Sequence, residues 1–155
     1  MGYFRMRRRL DGRVVEVTPL PSGLTLLPFT EETAKGSCAL MTRVHVDGPG
    51  EIPFFAHWFG ITMDEEYDPE LVFLAADGDE VVGFCQSWAG NFIKDLAVDQ
   101  TWRRRGLGTA LLTRALSAFQ SRGADYVDLK TDLDNKTAQS LYKRLGFIIV
   151  EEVLF

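Results

Sequence analysis

The chain is poor in the residues that build metal centres and disulfide frameworks. Its 155 residues include two cysteines and two histidines. Cys38 and Cys85 form no Cys-x-x-Cys pair and lie far apart, so neither a zinc site nor a disulfide scaffold is indicated. His57 has no second ligand near it and reads as a packed or capping residue; no metal is expected. No apolar run approaches the roughly 20 residues of a membrane span. No apolar core follows the basic N-terminus, as a secretory leader requires, and Met6 stands where a myristoylation signal has Ser or Thr. Repeats and low-complexity tracts are also lacking. These absences argue against membrane partners and place the expected compartment in a reducing cytoplasm.

What is present suits one globular unit. Hydrophobic residues make up 46% and charged residues 25%. A domain of this size can bury roughly 68–70% of its unfolded surface. The net charge of −5 is unevenly spread: residues 1–13 hold five arginines and one aspartate, so the remainder stands at −9. A body of that sign repels nucleic acid, and no nucleic-acid partner is expected. The basic tip reads as a solvated, partly frayed terminus.

Elements follow from periodicity and breakers. Asp11-Gly12 lies between two short extended segments and signals a hairpin, so residues 1–20 read as an N-terminal extension. Residues 21–155 read as a single domain. A short strand is expected over 24–28. A helix follows over about 31–45, opened by Thr30 and the acids Glu31 and Glu32. A second short helix is expected over 52–60. Strands at 71–76 and 81–85 flank the turn Asp77-Gly78-Asp79, and another runs over 92–98. Leu107, Leu111, Ala115 and Phe119 recur at helical steps, with Gly123 at the C-cap. A strand at 126–130, a helix from Asn135 to Leu145 and a closing strand at 147–154 complete a mixed α/β pattern.

The chemistry-bearing stretch is Arg103-Arg104-Arg105-Gly106-Leu107-Gly108, between the end of a strand and the start of a helix. The first amides of a helix lack internal partners, and the macrodipole adds positive charge there. Two glycines let the backbone approach an anion closely, and three arginines add charge; together they describe a diphosphate cradle. Leu111 stands where a Rossmann fingerprint needs its third glycine, and no lysine follows Gly108 as a P-loop needs.

The spacing resembles instead the Arg/Gln-x-x-Gly-x-Gly/Ala signature of the GNAT superfamily of acyl-CoA-dependent N-acyltransferases, filled here by Arg103, Gly106 and Gly108. A second block, Asn135 to Phe147, resembles that family's later motif at Asn135, Ala138, Leu141, Tyr142, Gly146 and Phe147. The two stand in the family's order, 26 residues apart. The resemblance implies a mixed, mostly antiparallel sheet with a splayed parallel strand pair and flanking helices. It also implies acetyl-CoA as co-substrate and an acetyl group passed to a primary amine of a small molecule or peptide by direct attack. The backbone of Leu96, Ala97 and Val98 would pair with the pantetheine arm. Arg103, Arg104, Arg105, Gly106, Leu107, Gly108 and Thr109 would hold the pyrophosphate, with Asn135 and Tyr142 also at the cofactor. Tyr142 would protonate the departing thiolate.

No motif assigns the general base; Asp95, Glu51 and His57 are candidates. The acceptor side is expected within residues 30–70. There Glu51, His57, Trp58 and the acidic run Asp64–Glu70 suit an organic cation. A non-catalytic acyl-CoA sensor or interaction module is the alternative. The apolar C-terminal strand is a candidate for pairing two copies into a homodimer.

Overall fold

The computed structural model describes residues 1–46, 59–60 and 67–155. Its strands are β1 (Gly2–Arg9), β2 (Thr25–Leu27), β3 (Val72–Asp77), β4 (Glu80–Trp88), β5 (Phe92–Val98), β6 (Tyr126–Asp132) and β7 (Ile148–Leu154). Its helices are α1 (Glu31–Val46), α2 (Leu107–Ser121) and α3 (Lys136–Arg144), and 3-10 turns cover Pro69–Leu71 and Gln100–Trp102. The helix expected over 52–60, together with Glu51, His57, Trp58 and Asp64–Glu66, lies almost wholly or wholly outside the described residues.

Local chemistry explains where the elements begin. At the start of α1, Thr30 and Thr33 cap each other: each backbone N–H donates to the other's hydroxyl, at 2.7 and 3.2 Å. This reciprocal arrangement satisfies two amides, as a capping box does. At α3, the Asn135 side-chain oxygen accepts from the Ala138 N–H at 3.1 Å.

The seven strands form one sheet in the order β2-β3-β4-β5-β6-β1-β7. Every neighbouring pair is antiparallel except β5 and β6. One core packs α2 and α3 on the sheet through Leu107, Leu111, Leu116, Phe119, Tyr142 and Phe147. The other packs α1 through Ala34, Cys38, Leu40 and Met41 against Leu74, Val81 and Phe84. Both cysteines are buried, and neither is in a disulfide.

The basic N-terminus departs from expectation. It forms no hairpin and is not frayed. β1 lies between β6 and β7, with Met6 opposite Leu129 on one side and Ile149 on the other. Met6 is fully buried. The segment after Asp11-Gly12 cannot pair back because its backbone is bonded to α2. Val15 N–H donates to Gln120 Oε1 at 2.8 Å, and Thr18 N–H donates to Thr113 Oγ1 at 3.0 Å.

Arg5, Arg7 and Arg8 of β1 are bound rather than solvated, while Arg9 is exposed. Arg5 Nε and Arg7 Nε each donate to the Asp128 carboxylate at 2.8 Å, and Arg7 Nη2 adds a bond of 3.0 Å. The Asp128 side chain is only 1% exposed. A buried carboxylate is tolerable only when charge-assisted bonds replace its water, and two guanidiniums supply them. Arg8 Nε donates to the Leu145 carbonyl at the end of α3, where a cation also meets the negative pole of the helix.

Candidate active site

β5 and β6 touch through only two register pairs, Phe92 with Asp128 and Ile93 with Leu129. Beyond them the strands part. The cause is visible on the other edge of β5, where Gln86 faces Asp95 but Ser87 faces Ile93, leaving Lys94 as an extra residue. Such a bulge bends its strand and raises its local twist. The parting opens a cavity of about 320 Å³ through the sheet. Ile93 to Ala97 form one wall, Leu129 to Asp132 the other, and Met41, Val44, Asn135 and Tyr142 close it.

Of the residues singled out in the sequence, Asp95, Leu96, Ala97, Asn135 and Tyr142 therefore meet at one cavity. Past Ile93 the edge of β5 facing β6 has no strand partner among the described residues. In the opposite wall Thr131 Oγ1 is buried without a hydrogen-bond partner. Open strand edge and orphaned hydroxyl suit an extended, amide-bearing arm, because a buried polar group needs a partner.

The glycine segment stands beside the far end of β5. A Cβ at Gly108 would lie 3.2 Å from Leu141 Cδ2 and 3.9 Å from Val98 Cγ2, so this residue lets α2, α3 and the end of β5 converge. Gly106 turns the chain into α2 at φ +85°, a left-handed value that an L side chain rarely adopts. The first α2 bond runs from Ala110 N–H to Gly106 O at 2.9 Å, so the amides of Leu107, Gly108 and Thr109 precede the ladder. The Leu107 side chain is buried in the core, so only its backbone can serve a ligand. Arg103, Arg104 and Arg105 are exposed. Arg103 Nε donates to the Val98 carbonyl at 3.3 Å, and the Arg105 guanidinium lies 4.9 Å from the Trp102 ring centre. These residues can hold a diphosphate and the arm that follows it.

Gly106→Val should weaken acetyl-CoA binding and lower stability by about 1–2 kcal/mol from the left-handed strain. Gly106→Asn, which tolerates that conformation, should do less of both. Calorimetry and thermal melts of the two variants check this.

Tyr142 is 9% exposed, and its ring centre lies 5.8 Å from that of Phe147. Burial, reinforced by the neighbouring Cys85, pushes the phenol up to about 12. It therefore keeps its proton at neutral pH. Asp95 Oδ2 is ion-paired with Lys94 Nζ at 2.6 Å. Cys85 is fully buried, its thiol pushed up to about 12 chiefly by burial, so it is no nucleophile.

Sequence reasoning missed Lys94, Lys130, Thr131, Met41 and Val44 in the cavity wall. The signal for Lys130 was present: Asp128, Lys130 and Asp132 alternate with the buried Val127, Leu129 and Thr131. Such alternation in an interior strand marks a polar face beside a site.

A mixed sheet opened between two parallel strands, with a helix N-terminus and three exposed arginines beside the end of the opening, suits an extended ligand that carries an anion. Known proteins agree. The model of the "Acetyltransferase (GNAT) family" matches residues 30–147, and the chain belongs to that family. Mycothiol acetyltransferase of Clavibacter michiganensis is 35% identical over 83% of this chain and 44% of its own length. Human N-alpha-acetyltransferase 30 is 40% identical over 52% of this chain and 24% of its own. A crystal structure titled as a GCN5-related N-acetyltransferase from Sphaerobacter thermophilus superposes with TM-score 0.79 at 28% identity. It is matched over 97% of this chain and 49% of that one. The chain thus spans less than half the length of these relatives. No described helix is long and apolar enough to cross a membrane.

Proposed function

We propose that this chain transfers an acetyl group from acetyl-CoA to a primary amine of a small molecule or a peptide N-terminus. One observation carries the reading: the open edge of β5 leads from the cavity to the N-terminus of α2. Bound acetyl-CoA supplies an acyl group activated as a thioester.

The chain's residues do the rest. The amides of Leu107, Gly108 and Thr109, with Arg103, Arg104 and Arg105, hold the pyrophosphate. The backbone of Leu96, Ala97 and Val98 pairs with the arm, and an amide near Leu96 polarises the acyl carbonyl. Asn135 fixes the start of α3 at the cavity. Tyr142, protonated at neutral pH, gives its proton to the departing sulfur. Asp95 accepts the proton that the amine must lose before it attacks, directly or through water. Glu51, His57 and Trp58 remain proposals for the acceptor side. Two buried cysteines outside any disulfide suit a reducing cytoplasm.

The test is thiol release from acetyl-CoA across small amines and peptides with free N-termini. Acceptor-dependent release supports the reading. Saturable binding with no acceptor-dependent release would favour an acyl-CoA sensor instead.

A second copy of the chain is the partner we propose for β7. This strand is one of the sheet's two edges, with Ile148 55% and Leu154 67% exposed. An apolar edge invites pairing. Light scattering should find a dimer at micromolar concentration, and a monomer there removes the idea.

A further inference from the structure

Lys94 and Lys130 are the first residues beyond the last β5–β6 pair, one on each strand, so two ammonium groups flank the point where the sheet opens. On its other side Lys130 faces Arg5 of β1. Like charges on neighbouring strands are unfavourable unless something answers them. Arg5 is answered by Asp128 at 2.8 Å, and Lys94 by Asp95 at 2.6 Å. Lys130 is not. Among the described residues its ammonium has no carboxylate within ion-pair distance. It rests 4.8 Å from the ring centre of Tyr3 and 5.9 Å from that of Phe92. Two rings fix a cation in place without neutralising it. The cavity also carries two carboxylates, Asp95 on the β5 wall and Asp132 on the β6 wall.

We propose that the acceptor is amino-acid-like: its carboxylate is held by Lys130, and its amine faces Asp95. This deepens, and rests on, the acetyltransferase reading. The amine must lie where the acetyl group is delivered, and Asp95 and Leu96 form that stretch of wall. A carboxylate a few bonds from the amine then reaches the opposite wall, where Lys130 stands without an ion-pair partner among the described residues. Lys130 is exposed, so water answers its ammonium in the free chain, and a charge-assisted bond to a carboxylate is worth more than the bond a neutral carboxamide can make there. The site accordingly selects against amines that lack an acid group.

The test uses adducts that need no turnover. CoA is joined through its sulfur, by a –CH2–CO– bridge, to the amine of glycine or 4-aminobutyrate, and to the corresponding carboxamides. Calorimetry on the full chain gives each dissociation constant. At least one acid adduct should bind ten-fold or more tightly than its amide. Lys130→Met should reduce that ratio to within two-fold, and Lys130→Arg should keep most of it. Equal affinities for acid and amide in the native chain, or a ratio unchanged by Lys130→Met, overturn the proposal. Failure of the broader reading looks different, because the native chain then binds neither acetyl-CoA nor any adduct.

Discussion

Tyr142→Phe is expected to lower kcat by about 10²–10⁴-fold, the usual value of a positioned proton donor. Acetyl-CoA affinity should change far less, because the ring and its packing on Phe147 persist. The effect arises from one atom. An expelled thiolate with a pKa of about 8.5, by analogy with cysteine, is a poor leaving group when nothing protonates it. The phenol is a protonated group in the cavity wall, and its burial holds it up to about 12. The same value makes a pH prediction. Tyr142 stays protonated well above neutrality, so the native rate should show no alkaline decline from this residue below about pH 11. Steady-state rates with a chosen acceptor, read as kcat against KM, separate this role from a structural one. A Phe variant that loses affinity and rate together would make Tyr142 a packing residue.

Asp128→Ala should cost stability toward the lower end of the about 3–5 kcal/mol seen when one partner of a buried ion pair is removed. The lower end applies because the Arg5 and Arg7 side chains are 35% and 26% exposed and can recover some water. At about 2–4 °C per kcal/mol for a chain of this size, the melting temperature should fall by about 6–12 °C. The consequence reaches the site. Asp128 ties β1 to β6 and also forms one of the two pairs that join β6 to β5. The arginine bonds hold its carboxyl below the usual carboxylate range against the opposing effect of burial. A lowered value stabilises the fold fully above the unfolded-state pKa of about 3.9 and loses that contribution as pH falls through the folded one. The gap between native and variant should therefore be full at pH 7 and close in acid. Equal melting temperatures at neutral pH would mean that the arginines are adequately solvated without it.

The middle and end of the fold were readable because their signals are local. Leu107, Leu111, Ala115 and Phe119 repeat at helical spacing, and all four are buried in α2. Asn135 caps the helix it was expected to open. The glycine segment announces the turn into α2 by its spacing, and Gly106 makes that turn at φ +85°. Other features depend on contacts distant in sequence. Nothing near residues 2–9 says that their partner is Asp128, more than a hundred residues away, so four arginines in a row of nine looked like a solvated tip. Asp11-Gly12 has turn chemistry, yet Gln120 and Thr113 of α2 bind the segment that a hairpin would have needed. The cavity wall was half legible. Leu96 and Ala97 lie in the strand that the resemblance singles out, whereas Lys94 enters through a bulge that leaves no mark in the residue pattern; Lys130 is marked by the alternation of β6, but its place beside a splayed pairing is not.

Titration of the native chain and of Gly106→Val with acetyl-CoA, followed by calorimetry, tests the central claim most directly. The account predicts saturable one-to-one binding by the native chain, weakened at least ten-fold by the substitution while the variant remains folded. A folded native chain that takes up no acetyl-CoA, or a variant that binds it equally well, would contradict it.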